Sequence, residues 1–490
     1  MSRVARLRRD VARLPGGARA FGPLPVRALC VLLVAALAGL LLGRFLLAGA
    51  GSGAEAAAGG PAAAVPAGLA GTAAGGGGGE ATVATVARLQ AWLAADPDQP
   101  ALLTQLGVAY LTRARETADP SYYSKAADAL AHSQRLDSGS PETMTALGLL
   151  DLARHDFRGA LAWGERAHRL APAAADPLGV IVDAQVELGR YRQAATSAQA
   201  MVDRKPNLAS FARVSYLREL LGDPDGALLA MEQAVTAGAG SAADRASIEV
   251  LVGDLRLGRG QLDRAQAAYQ AALRDQAGYG PAEVGLAEVA VARGQLRQAA
   301  ALLAPVAARL PRPATVALLG DVQAALGQRR AAAGQYKLVR AIEALNQANG
   351  VAVDLELARF EANHARSAGG NPAAAIELAR RALVERPTIF AEDVLGWALR
   401  QAGKPAEALP HARAAVRLGT KDALLWYHLA AIEADLGQRA AAGRDLATAL
   451  RLDPYLVTPS AAVRDHGDAV ALAKRLGITL PSPPLPLEAS

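Results

Sequence analysis

The chain of 490 residues contains one cysteine, Cys30, and its aromatic residues make up only 4% of the sequence. One cysteine can form neither an intrachain disulfide nor a C-x-x-C metal or redox pair. Cys30 lies inside a long apolar run and not directly after it, which excludes a lipoprotein attachment site. Alanine and leucine dominate the apolar residues, so we expect a core of many close helix contacts with few large side chains.

Catalytic motifs are missing as well. The sequence has no G-x-S-x-G, no phosphate-binding G-x-x-x-x-G-K-[ST] and no H-E-x-x-H. Glu361 and His364 form one E-x-x-H, but a di-iron site needs two such motifs and two further glutamates inside a bundle. We therefore expect no enzyme activity, no bound metal and no cofactor.

The positive charge of the chain is confined to its N-terminal segment. The net charge is +6, whereas residues 1–44 alone carry eight Arg and one Asp, which leaves −1 for residues 45–490. The sequence pI of about 9.5 therefore describes this segment and not the remainder. Nucleic-acid binding by residues 45–490 is not expected, because proteins that bind nucleic acids carry a basic patch.

The N-terminal segment predicts a membrane anchor. Residues 1–27 form a basic tail and residues 28–50 an apolar stretch of about 23 residues, long enough to cross a bilayer. By the positive-inside rule the tail stays cytoplasmic and the chain after residue 50 is exported, which places a single-pass protein in the cell membrane. Cleavage of a signal peptide at Ala48–Ala50 is the alternative. Residues 51–80, rich in Ala and Gly, are expected to form a flexible linker, and residues 477–490 a Pro-rich disordered tail.

The strongest feature of the remaining chain is an alanine that recurs about every 34 residues. Such a period is typical of helix–turn–helix units, which cannot bury their apolar faces alone and stack on their neighbours. The recurring alanines are Ala126, Ala160, Ala194, Ala227, Ala265, Ala299, Ala332, Ala375, Ala408 and Ala442.

Glycine and proline mark the turns of the same units. A glycine five residues before the alanine permits the positive φ at which the first helix ends. A proline twelve residues after the alanine ends the second helix. The glycines are Gly189, Gly222, Gly260, Gly294, Gly327, Gly370, Gly403 and Gly437, and the prolines are Pro172, Pro206, Pro311, Pro387 and Pro454.

The pattern resembles the tetratricopeptide repeat (TPR) of membrane-anchored bacterial proteins. Asp156–Pro172 (DFRGALAWGERAHRLAP) and Gln438–Pro454 (QRAAAGRDLATALRLDP) are close to the usual second-helix sequence. The resemblance implies an all-α, right-handed superhelical solenoid of about ten repeats over residues 101–454. With capping helices the solenoid would span residues 81–476, preceded by the transmembrane helix.

In such a solenoid the first helices line a concave groove. With the recurring alanine at position 20 of each repeat, positions 2, 5, 9 and 12 face this groove. Acidic and aromatic residues recur there, which favours binding of basic or mixed-charge protein segments. The candidate groove residues are Asp183, Tyr216, Glu219, Asp254, Glu288, Asp321, Phe360, His364, Trp397, Arg400 and Tyr427.

Three functions remain open at this point. The first is a membrane-tethered scaffold or adaptor that binds partner proteins in the groove. The second is a structural spacer subunit of an envelope complex, which docks through its convex face or its ends. The third is an accessory factor in polysaccharide export, in which groove aromatics would stack on sugars. Solvent-facing helix positions are polar in any case, so the acidic residues by themselves do not distinguish these functions.

Overall fold

The computed structural model of the protein describes residues 78–237, 241–364, 369–457 and 469–480. Within these ranges the chain forms 22 α-helices and one short 3₁₀ helix, with no strand, which confirms the all-α prediction. The predicted tail 1–27, transmembrane helix 28–50 and most of the linker lie outside the described residues, as do residues 481–490. Among the helices of the described ranges, none combines the length and the apolar character needed to cross a membrane.

Helix α1 (Gly78–Ala95) packs against the first of ten consecutive helix pairs in the described ranges. The first helices of the pairs are α2 (Pro100–Thr117), α4 (Pro141–Ala153), α6 (Asp176–Glu187), α8 (Leu208–Leu220), α10 (Ala242–Leu257), α12 (Gly280–Ala292), α14 (Pro313–Ala325), α16 (Asp354–Asn363), α18 (Ile389–Gln401) and α20 (Ala423–Asp435). The second helices are α3 (Ser121–Leu136), α5 (Phe157–Leu170), α7 (Tyr191–Arg204), α9 (Pro224–Thr236), α11 (Leu262–Asp275), α13 (Leu296–Arg309), α15 (Arg329–Ala348), α17 (Pro372–Glu385), α19 (Pro405–Ala415) and α21 (Arg439–Leu452). The 3₁₀ helix (Pro454–Val457) and α22 (Ala469–Leu476) follow.

The recurring alanine is buried in the second helix of every pair. All ten lie in second helices, and their exposed fractions are between 0% and 2%. A larger side chain at this point would force the helix axes apart, since the close crossing depends on a small residue. Repeats 1 to 10 are numbered below by these pairs.

Glycine permits the turn between the helices of a pair. All the predicted turn glycines except Gly370 have φ between +66° and +78°. In repeat 8 the prediction of Gly370 is wrong, because Gly369 holds the positive φ there. The five predicted prolines each follow the end of a second helix by two residues, as expected for a residue that cannot extend a helix.

A second glycine, inside the first helix, makes room for a large side chain. The ring of Tyr269 is fully buried between Gly253 of α10 and Gly285 of α12, and a Cβ atom on either glycine would overlap it. Tyr336 lies against Gly320 of α14 in the same way. Two of the core tyrosines are therefore seated at specific glycines, which keeps these repeats closely packed.

The solenoid also contacts itself at a separation of about 200 residues. The Tyr191 hydroxyl accepts a hydrogen bond from the Ile389 amide at 3.0 Å, and the Ala352 carbonyl contacts the His155 ring nitrogen Nδ1 at 2.7 Å. The Thr420 hydroxyl donates to the Leu220 carbonyl. These partners are 197 to 200 residues apart, so about six repeats complete one superhelical turn.

The self-contact follows one rule along the chain. The turn between the two helices of one repeat contacts a loop much later in the chain. That loop comes directly after the fifth repeat that follows. Thus Gly189 of repeat 3 lies against Pro387 after repeat 8, and Gly222 of repeat 4 lies against Gly419 after repeat 9. Gly260 of repeat 5 approaches Pro454 after repeat 10. We call this set of contacts the interturn seam.

Candidate functional site

The candidate groove residues fall into two groups according to their exposure. Five are buried and six are partly exposed. The buried ones are Asp183, Phe360, His364, Trp397 and Tyr427, and the partly exposed ones are Tyr216, Glu219, Asp254, Glu288, Asp321 and Arg400. The first group serves internal contacts, and only the second offers atoms to a partner.

Asp183 is neutralised within the protein. Arg213 of α8 donates two hydrogen bonds to the Asp183 carboxylate of α6, from Nε at 2.8 Å and from Nη2 at 2.6 Å. Both side chains are less than 10% exposed. Burial raises the pKa of Asp183 to about 6, against the lowering effect of Arg213. The sequence pattern missed Arg213, since it lies outside the groove positions and nothing local marks it as a partner.

A compact aromatic cluster joins repeats 7 and 8. The Tyr336 hydroxyl donates to Asp321 at 2.7 Å, and the His364 Nε2 lies 2.8 Å from the same carboxylate oxygen. The His364 ring lies 4.3 Å from the Phe360 ring centre and 4.6 Å from that of Tyr336. Three predicted groove residues therefore meet, but they hold the two repeats together. Tyr336 was not predicted because it belongs to a second helix.

Repeats 9 and 10 form a similar cluster around Trp397. The His428 ring stacks on the indole at 3.9 Å and its Nδ1 contacts Asp393 at 2.9 Å. The Arg400 guanidinium lies 4.8 Å from the indole, and the Tyr427 ring centre lies at 6.0 Å. The adjoining cavity, about 10 Å³ in volume, has room for one water molecule. The faces of Trp397 are therefore occupied, and a sugar ring has no access to them.

Carboxylates without a basic partner remain at the centre of the groove. Asp254 of α10 accepts a hydrogen bond from the Tyr269 hydroxyl at 2.7 Å, and no Arg, Lys or His of the described chain pairs with it. Burial raises the pKa of Asp254 to about 7. The pKa of Glu219 in α8 is also raised to about 7, first by burial and then by the charges of Asp422 and Asp254.

Asp422 lies near Glu219 because the interturn seam brings the loop before α20 against repeat 4. It precedes α20 in repeat 10, whereas Glu219 and Asp254 belong to repeats 4 and 5. Burial raises the pKa of Asp422 and the neighbouring Asp393 raises it further, against the lowering effects of the Leu424 amide and of the Arg359 and His428 charges. The charges of Asp422 and Asp254 both act on Glu219, so carboxylates of the neighbouring repeats 4 and 5 and of the distant repeat 10 lie near one another. We call Glu219, Asp254 and Asp422 the acidic centre. The sequence pattern predicted the first two and missed the third.

The acidic centre makes stability depend on pH. A carboxyl whose pKa is raised on folding binds its proton more tightly in the folded state. Its contribution to the free energy of unfolding is therefore full below the pKa of the unfolded chain, and it is lost as the pH rises through the pKa of the folded protein. For Asp254 that window runs from about 4 to about 7. We expect Asp254→Asn to flatten the fall in unfolding free energy between these values, measured by urea denaturation at a series of pH values. An unchanged pH dependence would contradict this assignment.

Among the described residues, no group of three or more His, Cys, Asp or Glu side chains is placed to hold a metal ion.

Comparisons with known proteins concern the repeat and the fold. Residues 256–322 match the family model described as tetratricopeptide repeat. Similar solved structures include a thermophilic TPR protein of Thermus thermophilus, with 22% identity and a TM-score of 0.34 over 42% of this chain and 100% of that one. PilF of Pseudomonas aeruginosa has 15% identity and a TM-score of 0.32 over 42% and 90% of the chains.

PilW, described as a widely conserved type IV pilus biogenesis factor, has 21% identity and a TM-score of 0.35 over 41% of this chain and 92% of its own. At these values the similarities carry no inference about function. No curated protein matches the sequence. The chain is a helical repeat protein with a tetratricopeptide repeat segment, as the sequence resemblance predicted. This type of solenoid generally serves protein–protein interaction.

Proposed function

We propose that this protein is a membrane-tethered scaffold that binds partner proteins in the groove lined by its first helices. The N-terminal segment would hold the repeat domain on the extracytoplasmic side of the cell membrane. The partner segments would be basic or of mixed charge. In this proposal the protein is a binding protein and not an enzyme, and it needs no cofactor.

The observation that carries the proposal is a contrast between acids that have a basic partner within the protein and acids that have none. Asp183 has Arg213 as its partner, and Asp393 has His428. In the acidic centre, by contrast, no cation contributes to the pKa of Glu219 or of Asp254, whereas Arg359 and His428 act on Asp422 alone. A Lys or Arg side chain of a partner would relieve the mutual repulsion and the cost of burial together, which favours a basic segment at this place.

The tether rests on the sequence alone. The basic residues before position 28 and the apolar stretch 28–50 favour a retained anchor with a cytoplasmic N-terminus. The long Ala- and Gly-rich stretch that follows would let the repeat domain reach partners at some distance from the bilayer. A protease protection experiment on intact cells and on lysed cells would test both the orientation and the retention of the anchor.

The groove is tested by neutralising its acids without changing their shape. The full-length variant Glu219→Gln/Asp254→Asn is compared with Glu165→Gln/Glu232→Gln, which removes two exposed acids from the second helices α5 and α9. Partners are captured by crosslinking in membranes and affinity purification. We expect the groove variant to lose its partners by about tenfold or more and the control to retain them.

Equal capture by both variants would contradict binding in the groove and favour docking through the convex face or the ends, as in a spacer subunit. The interturn seam is compatible with that second role, because it holds distant repeats together. The polysaccharide alternative has little support from the aromatic residues, since Phe360, Trp397 and Tyr427 are buried and only Tyr216 is partly exposed.

A further inference from the structure

One edge of the Trp397 indole carries a hydrogen-bond donor that nothing in the described ranges accepts. His428 and Arg400 lie against the faces of the ring, but the indole Nε1 is buried and has no hydrogen-bond partner there. The His428 nitrogen Nε2 is buried without a partner in the same way. Trp397 is 5% exposed and His428 is 3% exposed. Buried polar atoms are nearly always hydrogen-bonded, so these two nitrogens require an explanation.

Both side chains line the small cavity described above, which lies between the first helices α16, α18 and α20. Its volume of about 10 Å³ holds one group of the size of a water molecule. The Trp397 and His428 rings are stacked with their centres 3.9 Å apart, so one oxygen atom in this cavity can reach both nitrogens. Leu424, at position 2 of repeat 10, and Asn363 also line the cavity and are partly exposed, which places its mouth on the groove side.

The hydrogen bond between His428 and Asp393 determines which imidazole nitrogen carries the proton. The Asp393 carboxylate oxygen lies 2.9 Å from Nδ1, and a carboxylate can only accept, so Nδ1 donates. In the neutral ring Nε2 then carries a lone pair and accepts. The Trp397 indole nitrogen can only donate. The two rings therefore offer one donor and one acceptor to a group in the cavity.

This combination selects a hydroxyl group. A carbonyl or carboxylate oxygen could accept from Trp397 but could not donate to His428. An amide N–H or an ammonium group could donate to His428 but would leave the indole N–H unpaired. A hydroxyl group does both through a single oxygen. A water molecule has the same ability, so a ligand hydroxyl competes with water for the cavity.

The charges around the cavity favour a neutral group. Asp393 lies beside the imidazole, Asp422 is close to Asp393, and Arg359 belongs to the cavity wall. The Arg400 guanidinium near the indole is paired with Asp435. With two carboxylates and one guanidinium at the cavity, an anionic ligand group gains no net attraction.

We propose that this cavity binds the hydroxyl group of a serine side chain in a partner segment. The inference rests on the proposed groove function and specifies one residue of the segment. A serine hydroxyl stands on a single CH₂ group, which would lie in the mouth against Val394 and Leu424. Threonine adds a methyl group and tyrosine a ring at that point, for which a cavity of this size has no room.

The residues beside the serine follow from the position of the acidic centre. Asp422 accepts a hydrogen bond from the Leu424 amide at 2.8 Å, and Leu424 lines the cavity. The acidic centre therefore begins at the mouth of the cavity. Since the acidic centre favours a cation, a serine with a lysine or arginine next to it fits this part of the groove.

The test compares two pentapeptides that differ in one hydroxyl group. Acetyl-Gly-Lys-Ser-Lys-Gly-amide and its alanine counterpart are titrated into the full-length, isotope-labelled protein in detergent, and the tryptophan indole N–H signals are followed by NMR. We expect the serine peptide to shift the Trp397 signal and to bind about tenfold more tightly, since the alanine peptide leaves the buried nitrogens unsatisfied. The phosphoserine peptide should bind less tightly than the serine peptide, because its phosphate group is too large and is negatively charged.

Trp426 provides the matched control. Its indole N–H donates to the Thr420 carbonyl at 3.1 Å, so this signal should respond equally to the serine and alanine peptides. The variant Trp397→Phe keeps an aromatic ring against His428 but removes the donor, and we expect it to bind the two peptides with similar affinity. Trp426→Phe should retain the preference for serine. Circular dichroism and the remaining indole signals verify that both variants are folded.

Equal affinity of the parent protein for the serine and alanine peptides would mean that the cavity holds water only, and it would overturn the proposal. The groove function would still stand in that case if Glu219→Gln/Asp254→Asn weakens the binding of both peptides. Tighter binding of the phosphoserine peptide would make the cavity an anion site and would also overturn the proposal. A parent protein that binds neither peptide at millimolar concentration would refute this proposal and the binding of basic segments together.

Discussion

Replacement of Arg386 by methionine is expected to lower the free energy of unfolding by about 3–5 kcal/mol, since it leaves a buried carboxylate without its partner. Arg386 follows α17 and donates from Nε and Nη2 to Glu187 of repeat 3, at 3.0 Å and 2.7 Å. Its Nη1 donates to Glu356 of repeat 8 at 2.8 Å. Glu187 is 5% exposed and Arg386 is 8% exposed. This is the most buried ion pair of the interturn seam.

The electrostatics around Arg386 agree with this expectation. Burial alone would lower the pKa of the guanidinium, but Glu187 and Glu356 together raise it. Burial alone would likewise raise the pKa of Glu356, whereas the Arg386 charge holds it at about 2. The Phe157 ring lies 5.0 Å from the guanidinium carbon and adds a cation–π contact from repeat 2.

The measurement is urea denaturation followed by circular dichroism, with hydrogen exchange to locate the opening in repeats 3 and 8. The matched control is Arg380→Met on α17, which removes an exposed arginine that pairs with Glu377 and Glu407. Surface pairs of this kind contribute about 0–1 kcal/mol, so the control should change little. The double variant Arg386→Met/Glu187→Gln should recover much of the loss. Equal losses for Arg386→Met and Arg380→Met would refute a stabilising role for the seam.

The second large effect is expected from Gly189→Ala, at about 3 kcal/mol, as the sum of backbone strain and steric overlap. Gly189 has a φ of +67°, which disfavours any side chain. In addition, its Cβ would overlap the carbonyl oxygen of Pro387 across the interturn seam. Because this neighbour is backbone, it cannot rotate away, and the two turns must separate locally.

Gly294→Ala separates the two contributions. Gly294 has a similar φ of +76°, but a Cβ there meets nothing within 4 Å. It therefore reports the cost of the left-handed conformation alone, about 1 kcal/mol. Both variants are compared by thermal and urea unfolding of the full-length chain. If Gly189→Ala costs no more than Gly294→Ala, the two turns are not in contact in solution.

The residues that recur every 34 positions allowed the ends of most repeat helices to be predicted. Each alanine, glycine and proline acts on its own helix or on the next turn, so its effect can be read locally. Gly370 is the informative exception. The two adjacent glycines of repeat 8 both permit a positive φ, and the sequence offers no local reason to prefer Gly369.

The groove was harder to predict, because facing the groove does not mean being free to bind. The period identified Asp183, Asp321 and Trp397 as groove positions, but their partners Arg213, Tyr336 and His428 come from other helices at unrelated positions. Only the folded chain shows which acids are neutralised. Glu219 and Asp254 stand out only after that comparison.

The sequence by itself determined the helical pairs, their order and their close packing, since these depend on contacts between neighbours within one or two repeats. The tertiary structure alone decided the interturn seam and the acidic centre. Both depend on the small rotation from each repeat to the next, summed over about six repeats, and no local pattern encodes that sum. Arg386 could therefore be read as a helix-end residue from the sequence, whereas its contact with Glu187, 199 residues away, required the folded chain.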